Sequence, residues 1–259
     1  MNTASAGVSR QLVLSLDLQE QSLFSNYVPG VNRLLLDQLQ LFSHQPSEAM
    51  LYLWGGAACG KTHLLHATCH AAHAAGVRSV YIDLQQHVGG SLTVLDGIEQ
   101  VELLALDNLD AIAHGGGASE MTQRLWQEAL YELFYAIRLN GGRILVAANA
   151  SPLGLDIGLP DLRTRLGWGP SWHVQPLTDD DRRSFLRQRA MHKGMQLEDD
   201  ALQWILQHQG RDASTLIEAI ELLASQSMQL QKKPSLAFVR SVLAGLSAPA
   251  ETVPDLQTS

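Results

Sequence analysis

Up to about residue 177, short apolar runs alternate with longer stretches in which apolar residues recur at helical spacing. The apolar runs predict strands and the periodic stretches predict helices. The predicted strands are 50–54, 79–84, 101–107, 143–149 and 172–177, and the predicted helices are 31–42, 62–75 and 121–139. Strands that alternate with helices are typical of a parallel sheet. We therefore predict an α/β domain in which helices cover both faces of that sheet.

Beyond Leu177 the chain shows helical periodicity only, over residues 179–192, 198–207, 213–229 and 235–246. Thr178 and Asp181 have the spacing of a capping box that would open the first of these helices. We expect a small all-helical domain to follow the sheet. The predicted organisation is an N-terminal arm at 1–20, the α/β domain at 21–177, the helical domain at 178–246 and a disordered tail at 247–259.

A P-loop pattern lies between the first predicted strand and the helix that follows it, formed by Gly55, Gly56, Ala57, Ala58, Cys59, Gly60, Lys61 and Thr62. The motif is specific here because an apolar strand leads into it and a helix leads out of it. Glycines let backbone N–H groups approach phosphates, and the helix N-terminus favours their negative charge. Lys61 is expected to pair with the β- and γ-phosphates, and the Thr62 hydroxyl to ligate Mg²⁺. The predicted cofactors are ATP or ADP with Mg²⁺.

Two later strand ends supply further polar groups for this site. Asp107 ends the third predicted strand and is the predicted carboxylate partner of Mg²⁺. The next position, where motor ATPases carry an acid, holds Asn108, whose amide cannot act as a base. We therefore expect weak intrinsic hydrolysis, with Asp110 as an alternative acid close by. Asn149, at the end of the fourth strand, is predicted to reach the γ-phosphate or the attacking water, and a strand-end turn residue is the alternative.

The charge balance of the chain is acidic, with a formal net charge of −8. DNA binding draws most of its affinity from Lys and Arg side chains that contact phosphates. The balance therefore argues against a protein that holds duplex DNA by itself. One cluster of arginines is either a local basic patch or a solvated helix face: Arg182, Arg183, Arg187 and Arg189.

The sequence favours a cytoplasmic protein. No apolar run approaches the roughly 20 residues that a bilayer-spanning helix needs, and no membrane partner is expected. The N-terminus lacks the basic-then-apolar order of a signal peptide, and two cysteines are too few for a disulfide framework. His66 and His70 lie one helical turn apart, as metal ligands do, but we interpret the histidines of this helix as packed or exposed side chains.

Several blocks of the sequence resemble the DnaA-related branch of the AAA+ ATPase family, over nearly the whole chain from Gln11 to about Leu246. The blocks are 24–32, 52–55, 61–67, 106–108, 158–169 and 175–179. The resemblance implies a AAA+ fold with a helical lid, and nucleotide contacts from Tyr27, Val28 and His63 besides the P-loop. Within this branch, the blocks are most similar to regulators that inactivate the replication initiator DnaA.

The block at residues 158–169 is the most distinctive, because in this family its arginine is an arginine finger. The resemblance assigns that role to Arg165. A guanidinium that enters a neighbouring subunit's site would stabilise charge on the γ-phosphoryl group, and such a finger is worth about 10³ to 10⁵ in rate. Arg163 lies two residues away. An ordinary surface or salt-bridged arginine is the alternative interpretation.

The N-terminal segment resembles the short peptide by which these regulators dock onto the sliding clamp, the β subunit of DNA polymerase III. An extended peptide can place alternate apolar side chains in a groove while hydrogen bonds fix a Gln amide. The implied clamp contacts are Gln11, Leu12, Leu14 and Leu16, although an ordinary edge strand would show the same alternation. Val13 and Ser15 replace the Ser and Pro that are usual in the family. DNA, and with it the nucleoid, would then be reached only indirectly, through the clamp.

Two departures from DnaA itself shape the functional expectation. DnaA carries a C-terminal DNA-binding domain, and we expect this chain to end soon after the lid, which favours a regulator over an initiator. The sensor-2 arginine of the family aligns with Ser214, and Arg211 lies nearly one turn away. The resemblance therefore implies a protein that rests with ADP bound.

Three functions compete for these residues. The resemblance implies a negative regulator of replication initiation that docks on the DNA-loaded clamp and activates hydrolysis of DnaA-bound ATP through Arg165. The second is an independent AAA+ ATPase, a helicase loader or remodeller, against which Asn108 and Ser214 argue. The third is a passive scaffold with a nucleotide as folding ligand. The oligomeric state is left open, with a homo-oligomer among the alternatives.

Overall fold

The structure of the protein is a computed structural model that describes residues 22–45, 48–209, 213–230 and 234–244. The described chain divides into two compact units, the first ending at Gln175 and the second beginning at Pro176. The first unit contains the sheet, and the second is helical. The predicted fold class, a parallel α/β sheet followed by a small helical domain, is confirmed.

Five parallel strands form one sheet: β1 (Met50–Trp54), β2 (Ser79–Asp83), β3 (Leu103–Asp107), β4 (Arg143–Ala148) and β5 (Ser171–His173). Their order across the sheet is β2-β3-β4-β1-β5. Because the strands are parallel, their carboxyl ends meet at one edge of the sheet. This edge holds both the P-loop, which leaves β1, and Asp107, which ends β3.

The helices of the first unit cover both faces of the sheet. They are α1 (Arg33–His44), α2 (Lys61–Ala74), α3 (Leu84–His87), α4 (Glu120–Leu139) and α5 (Pro160–Leu166). Alternate residues of β1 enter opposite cores: Tyr52 packs with the buried face of α4, and Leu51 packs with α1 and α2. A strand with two buried faces has no polar alternation, which is why β1, β3 and β4 read as largely continuous apolar runs.

Short 3₁₀ turns account for two of the differences from the predicted boundaries. They cover Phe24–Asn26, Gly30–Asn32, Leu92–Leu95, Ile98–Gln100 and Leu109–Ile112. The first long helix begins at Arg33 rather than Val31, because Gly30 has a φ of +47° and opens a 3₁₀ turn. The third strand begins at Leu103 rather than Val101, because another such turn extends to Gln100.

The fifth strand was predicted at 172–177 but ends at His173. The Val174 N–H still donates to the Trp54 carbonyl, at 2.7 Å. The backbone of the next residue, Gln175, bonds to a side chain instead of a strand. Asn32 donates to the Gln175 carbonyl at 2.8 Å and accepts from the Gln175 N–H at 2.9 Å. The next residue, a proline, has no N–H to continue a ladder. The strand prediction was therefore wrong beyond His173.

The second unit contains α6 (Asp179–His192), α7 (Asp199–His208), α8 (Ala213–Leu230) and α9 (Leu236–Leu243). The predicted capping box at the start of α6 is confirmed, since Thr178 and Asp181 exchange hydrogen bonds in both directions. Helix α6 packs against α7 and α8, and α9 packs against α7 and α8. Within the described ranges, no helix has both the length and the apolar character needed to cross a membrane.

Three arginines of the cluster on α6 pair with acids. Arg182 and Arg183 form ion pairs with Asp179 and Asp180 one turn earlier on the same helix, and Arg187 pairs with Asp199. Cations that are neutralised by neighbouring carboxylates attract DNA phosphates poorly. These contacts favour the solvated helix face over a basic patch.

Candidate nucleotide-binding site

The P-loop joins β1 to α2 through two residues in the left-handed region, Ala58 with a φ of +56° and Gly60 with a φ of +99°. A Cβ on Gly55 would lie 2.6 Å from the Val174 carbonyl oxygen, and a Cβ on Gly60 would lie 3.0 Å from the Tyr27 ring. A Cβ on Gly56 would meet nothing within 4 Å. Close packing therefore requires glycine at positions 55 and 60, while the space beside Gly56 is open.

Lys61 is the first residue of α2, and its side chain folds back over the loop. It is only 7% exposed. Its Nζ donates to the carbonyls of Gly55 and Gly56, both at 2.8 Å, and to Asn149 Oδ1 at 3.2 Å. The structure thus brings together two predicted site residues, Lys61 and Asn149, that are far apart in sequence. The ammonium group is held among neutral acceptors, so its charge is available to an anion in the loop.

Asp107 lies beside the loop and is fully buried. Its Oδ2 accepts hydrogen bonds from the Thr62 hydroxyl at 2.6 Å and the Tyr81 hydroxyl at 3.1 Å, and its Oδ1 accepts from the Asn108 N–H at 2.9 Å. Burial raises the pKa of Asp107, although the hydrogen bonds to its carboxylate oppose the rise. A hydroxyl and a carboxylate in contact are hard oxygen ligands of the kind that Mg²⁺ prefers. The pair Thr62 and Asp107 therefore fits a magnesium ion bound with a nucleotide.

Asn108, which occupies the position of the expected acid, has a φ of +54°. Its Nδ2 donates to Asp83 Oδ1 at 2.8 Å. Asp83 ends β2 directly beside Asp107 in the sheet register. It also caps α3, because its carboxylate accepts from the Gln85 N–H and the Gln86 side chain, each at 3.0 Å. The acid nearest to Asn108 is thus occupied by three hydrogen-bond donors.

A second acid orients the end of β4. The Asn149 N–H donates to both carboxylate oxygens of Asp110, at 3.0 and 2.8 Å. Asp110 therefore fixes the backbone at Asn149, whose side chain meets Lys61. Sequence reasoning treated Asp110 only as an alternative acid and missed this role, because the pairing joins strand ends that are not adjacent in sequence.

The remaining predicted nucleotide contacts, Tyr27, Val28 and His63, lie beside Gly60 and the start of α2. The Tyr27 ring packs on Gly60, and its centroid is 5.5 Å from that of His63. The Tyr27 hydroxyl accepts a 3.2 Å hydrogen bond from Asn32, and burial raises its pKa to about 12. His63 Nε2 lies 3.0 Å from the Leu23 carbonyl oxygen. Val28, next to Tyr27, is half-buried. Tyr27 and His63 thus form one wall beside the phosphate loop.

Arg165 lies on α5, which packs on the face of the sheet opposite to α2. Its side chain is only 9% exposed. Its guanidinium carbon is 3.7 Å from the centroid of the Tyr131 ring, 5.4 Å from that of Tyr135 and 5.3 Å from that of Trp168. Nη1 donates to the Tyr131 carbonyl at 2.8 Å. We call Tyr131, Tyr135 and Trp168 the aromatic cage. The neighbouring arginine, Arg163, is exposed and donates to the Ile157 carbonyl at 2.8 Å.

The histidines of α2 do not gather around a common point. His66 is buried and stacks on Tyr81 with ring centroids 4.1 Å apart, and His63 faces Tyr27. Among the described residues, no three His, Cys, Asp or Glu side chains are grouped so that they could hold a metal ion. The magnesium position discussed above needs phosphate and water oxygens to complete it.

Two family models match this chain and show the protein family to which it belongs. The model described as the bacterial DnaA ATPase domain matches residues 18–173, more than half of the sequence. The chain belongs to the bacterial DnaA ATPase-domain family. A second model, described as the Hda lid domain, matches residues 179–243. The protein is therefore a DnaA-related AAA+ protein with an Hda-like lid, as the sequence blocks indicated.

Solved structures agree on the fold. Domain III of the Thermotoga maritima initiation protein DnaA superposes with a TM-score of 0.71 at 20% identity, over 90% of this chain and all of that domain. AMPPCP-bound DnaA from Aquifex aeolicus gives 0.65 at 20% identity, over 82% of this chain and 67% of that one. The Holliday junction branch migration motor RuvB of Thermotoga maritima gives 0.57 at 15% identity, over 83% and 69%.

Some predicted site residues lie outside the described residues. These are the clamp-contacting residues Gln11, Leu12, Leu14 and Leu16, and Arg211. Conversely, the structure adds Tyr81, Asp83 and Asp110 to the site. The signal for these three was weak, since a Tyr within a strand and an Asp at a strand end occur in many proteins without a site.

Proposed function

We propose that this protein is a negative regulator of replication initiation that holds ADP and Mg²⁺ and activates hydrolysis of ATP bound to DnaA. The observation that carries the proposal is the composition of its own site. The groups for holding phosphate and magnesium are present, namely Lys61, Thr62 and Asp107. The position that would carry a catalytic acid holds Asn108, in a chain whose lid matches the Hda model.

Hydrogen bonding around Asn108 supports a site that binds a nucleotide but hydrolyses it slowly. A general base must be free to accept a proton from the attacking water. The carboxylate of Asp83 is occupied by the Asn108 amide and by the start of α3. The carboxylate of Asp110 is occupied by the backbone of Asn149. In this proposal Asn149 senses the γ-phosphate through its contact with Lys61, and chemistry in this site is slow.

Arg165 would act in the site of the partner. Its guanidinium would stabilise the charge on the γ-phosphoryl group of DnaA-bound ATP, which lowers the barrier by about 4 to 7 kcal/mol for a rate gain of 10³ to 10⁵. At 9% exposure the side chain cannot reach another molecule from its present rotamer. The proposal therefore requires Arg165 to leave the aromatic cage when the two proteins meet.

Docking on the sliding clamp through Gln11, Leu12, Leu14 and Leu16 would restrict this activity to loaded DNA. The protein would then contact DNA only through the clamp, in the cytoplasm at the nucleoid. A homo-oligomer that forms through the same finger-to-site contact is compatible with this scheme. The weak DNA affinity expected from a net charge of −8 agrees with indirect contact.

The test follows hydrolysis of radiolabelled ATP on DnaA in the presence of clamp loaded on primed DNA. We expect wild-type protein to accelerate hydrolysis and Arg165→Ala to lose the effect. Arg163→Ala is the matched control, since Arg163 lies on the same helix and is exposed; it should retain most of the acceleration. Rapid ATP turnover without DnaA would instead support the independent ATPase. If the wild-type protein gives no acceleration, the passive scaffold is the remaining hypothesis.

Two further measurements separate the parts of the proposal. Leu14→Ala with Leu16→Ala should abolish the clamp-dependent acceleration, whereas Val13→Ala should preserve it. The nucleotide released on denaturing purified protein should be ADP, near one per chain. Recovery of ATP at that level would contradict the resting state proposed here.

A further inference from the structure

Tyr81 lies on β2, one strand away from the carboxylate that it contacts. Its hydroxyl donates to Asp107 Oδ2 at 3.1 Å, the same oxygen that accepts from Thr62 at 2.6 Å. Nothing in the P-loop pattern requires a hydroxyl from β2. The contact gives a second hydroxyl donor to Oδ2, the carboxylate oxygen beside Thr62.

The orientation of Tyr81 is itself fixed. Its ring stacks on His66 of α2 with centroids 4.1 Å apart, and His66 is only 3% exposed. With its ring held in this way, the phenol donates to Asp107 Oδ2 from a fixed direction.

A carboxylate has a broad torsional preference about its last bond, so its plane is set by what it contacts. In Asp107 the Asn108 N–H holds Oδ1, and the two hydroxyls hold Oδ2. Thr62 is expected to use a lone pair for the cation, and its proton still points to Oδ2. Tyr81 is then the donor to Oδ2 that does not itself ligate the cation.

We propose that Tyr81 is a positioning residue of the magnesium site, which holds the Asp107 carboxylate in the plane where Oδ2 meets Thr62. The inference rests on the proposed binding of a magnesium nucleotide. Partners of this type orient the ligands of a metal, and their loss commonly lowers metal affinity by about 10- to 100-fold. The alternative is that the Tyr81 hydroxyl only satisfies a buried carboxylate, which would affect stability but not the cation.

The experiment measures the affinity of the full chain for a fluorescent ADP analogue with excess Mg²⁺ and with EDTA. The ratio of the two affinities isolates the contribution of the cation, because a general loss of stability cancels within each variant. We expect Tyr81→Phe to lower this ratio about tenfold and to leave the affinity in EDTA within about twofold of wild type.

Tyr52→Phe is the matched control. Tyr52 is also a buried strand tyrosine at this edge of the sheet, but its hydroxyl donates to the Ala150 carbonyl at 2.9 Å. This variant should keep the wild-type ratio. A titration of Mn²⁺ followed by electron paramagnetic resonance, with ADP present, gives a second measure of the cation, and Tyr81→Phe should weaken Mn²⁺ binding in proportion.

The outcomes are distinct. A Tyr81→Phe ratio equal to that of wild type, with wild type itself dependent on Mg²⁺, overturns the positioning role and leaves the proposed function intact. Equal losses in Tyr81→Phe and Tyr52→Phe overturn it as well, because the effect would then follow from any lost buried hydroxyl. A wild-type affinity that does not respond to Mg²⁺ overturns the magnesium site itself.

Discussion

The guanidinium carbon of Arg165 lies 3.7 Å from the centroid of the Tyr131 ring, and the same side chain donates a 2.8 Å hydrogen bond to the Tyr131 carbonyl. Trp168 and Tyr135 complete the cage and are themselves 54% and 58% exposed. The Arg165 guanidinium is therefore buried within its own chain, while Tyr135 and Trp168 beside it are exposed. If Arg165 acts on a partner's nucleotide, partner contacts with Tyr135 and Trp168 can be coupled to its release.

Weakening the cage should therefore increase activity. A partly desolvated cation–π contact is worth about 0.5 to 2 kcal/mol. We expect Trp168→Ala to raise the population of the released side chain and to lower the concentration needed for half-maximal acceleration of DnaA-bound ATP hydrolysis by about 2- to 30-fold. The measurement is the hydrolysis assay above at limiting protein, with Arg165→Ala in the same background as the inactive control. A folded Trp168→Ala protein with reduced acceleration would show that the cage assists the finger instead.

Exchange of two side chains tests why intrinsic hydrolysis is weak. Asn108→Asp alone places two carboxylates within hydrogen-bonding distance, because Asn108 Nδ2 now lies 2.8 Å from Asp83 Oδ1. The double variant N108D/D83N restores the hydrogen bond with its polarity reversed and leaves a residue suited to capping α3. An acid next to Asp107 should raise intrinsic ATP turnover by about 10²-fold, and the double variant should be more stable than N108D. Turnover that stays at the wild-type level in the folded double variant would assign the weak activity to another cause.

The buried carboxylate of Asp107 should give a pH dependence of stability in the absence of Mg²⁺. Burial raises its pKa in the folded state, so the folded protein binds this proton more tightly than the unfolded chain does. Stability from this group is present below the ordinary aspartate pKa of about 3.9 and is lost as the pH rises through the raised folded value. In EDTA, Asp107→Asn should therefore gain stability relative to wild type between pH 4 and pH 7, followed by denaturant unfolding.

Glu102 provides a control of opposite sign. Hydrogen bonds from the Arg78 backbone and side chain hold its pKa below the usual range. Its contribution is present above the unfolded pKa and is lost as the pH falls through the folded one. Glu102→Gln should lose stability relative to wild type over the same rise in pH. Parallel curves for Asp107→Asn and wild type would contradict the prediction.

Lys61→Ala should weaken binding of the ADP analogue by roughly 10- to 100-fold, since hydrogen bonds to a charged group contribute about 1.5 to 3 kcal/mol. The loss should appear both with Mg²⁺ and with EDTA, because Lys61 is proposed to contact phosphate rather than the cation. Lys193→Ala, which removes an exposed ion pair with Glu221 in the helical unit, is the matched control and should bind as wild type does. Equal affinities for the two variants would mean that the nucleotide does not occupy the loop.

Periodicity was sufficient to predict most of the fold because β1, β3 and β4 are buried on both faces and helices such as α1 and α4 have a clear apolar face. Helix α5 was missed because Pro160–Leu166 spans only two turns, too few for a period to show. The P-loop residues were predictable because the motif is continuous in sequence. Tyr81, Asp83 and Asp110 were not, because their roles arise from strand order, which brings together the ends of β2, β3 and β4.

The site of Arg165 shows the other limit of a sequence pattern. The family block identifies the residue, but the conformation of its side chain depends on aromatic residues of α4 that lie about thirty positions earlier in the chain. The motif therefore predicts which arginine could act as the finger, but it does not predict the conformation of that side chain.

The side chain of Asn32 bonds to Gln175 as a second peptide group would, and it also donates to the Tyr27 hydroxyl at 3.2 Å. Spontaneous deamidation of Asn32 would leave a carboxylate facing a carbonyl oxygen, with no proton to share between them. The repulsion would separate the end of the first unit from the wall beside the phosphate loop. Deamidation of Asn32 alone would thus lower the affinity for the nucleotide, although every residue of the P-loop would be unchanged.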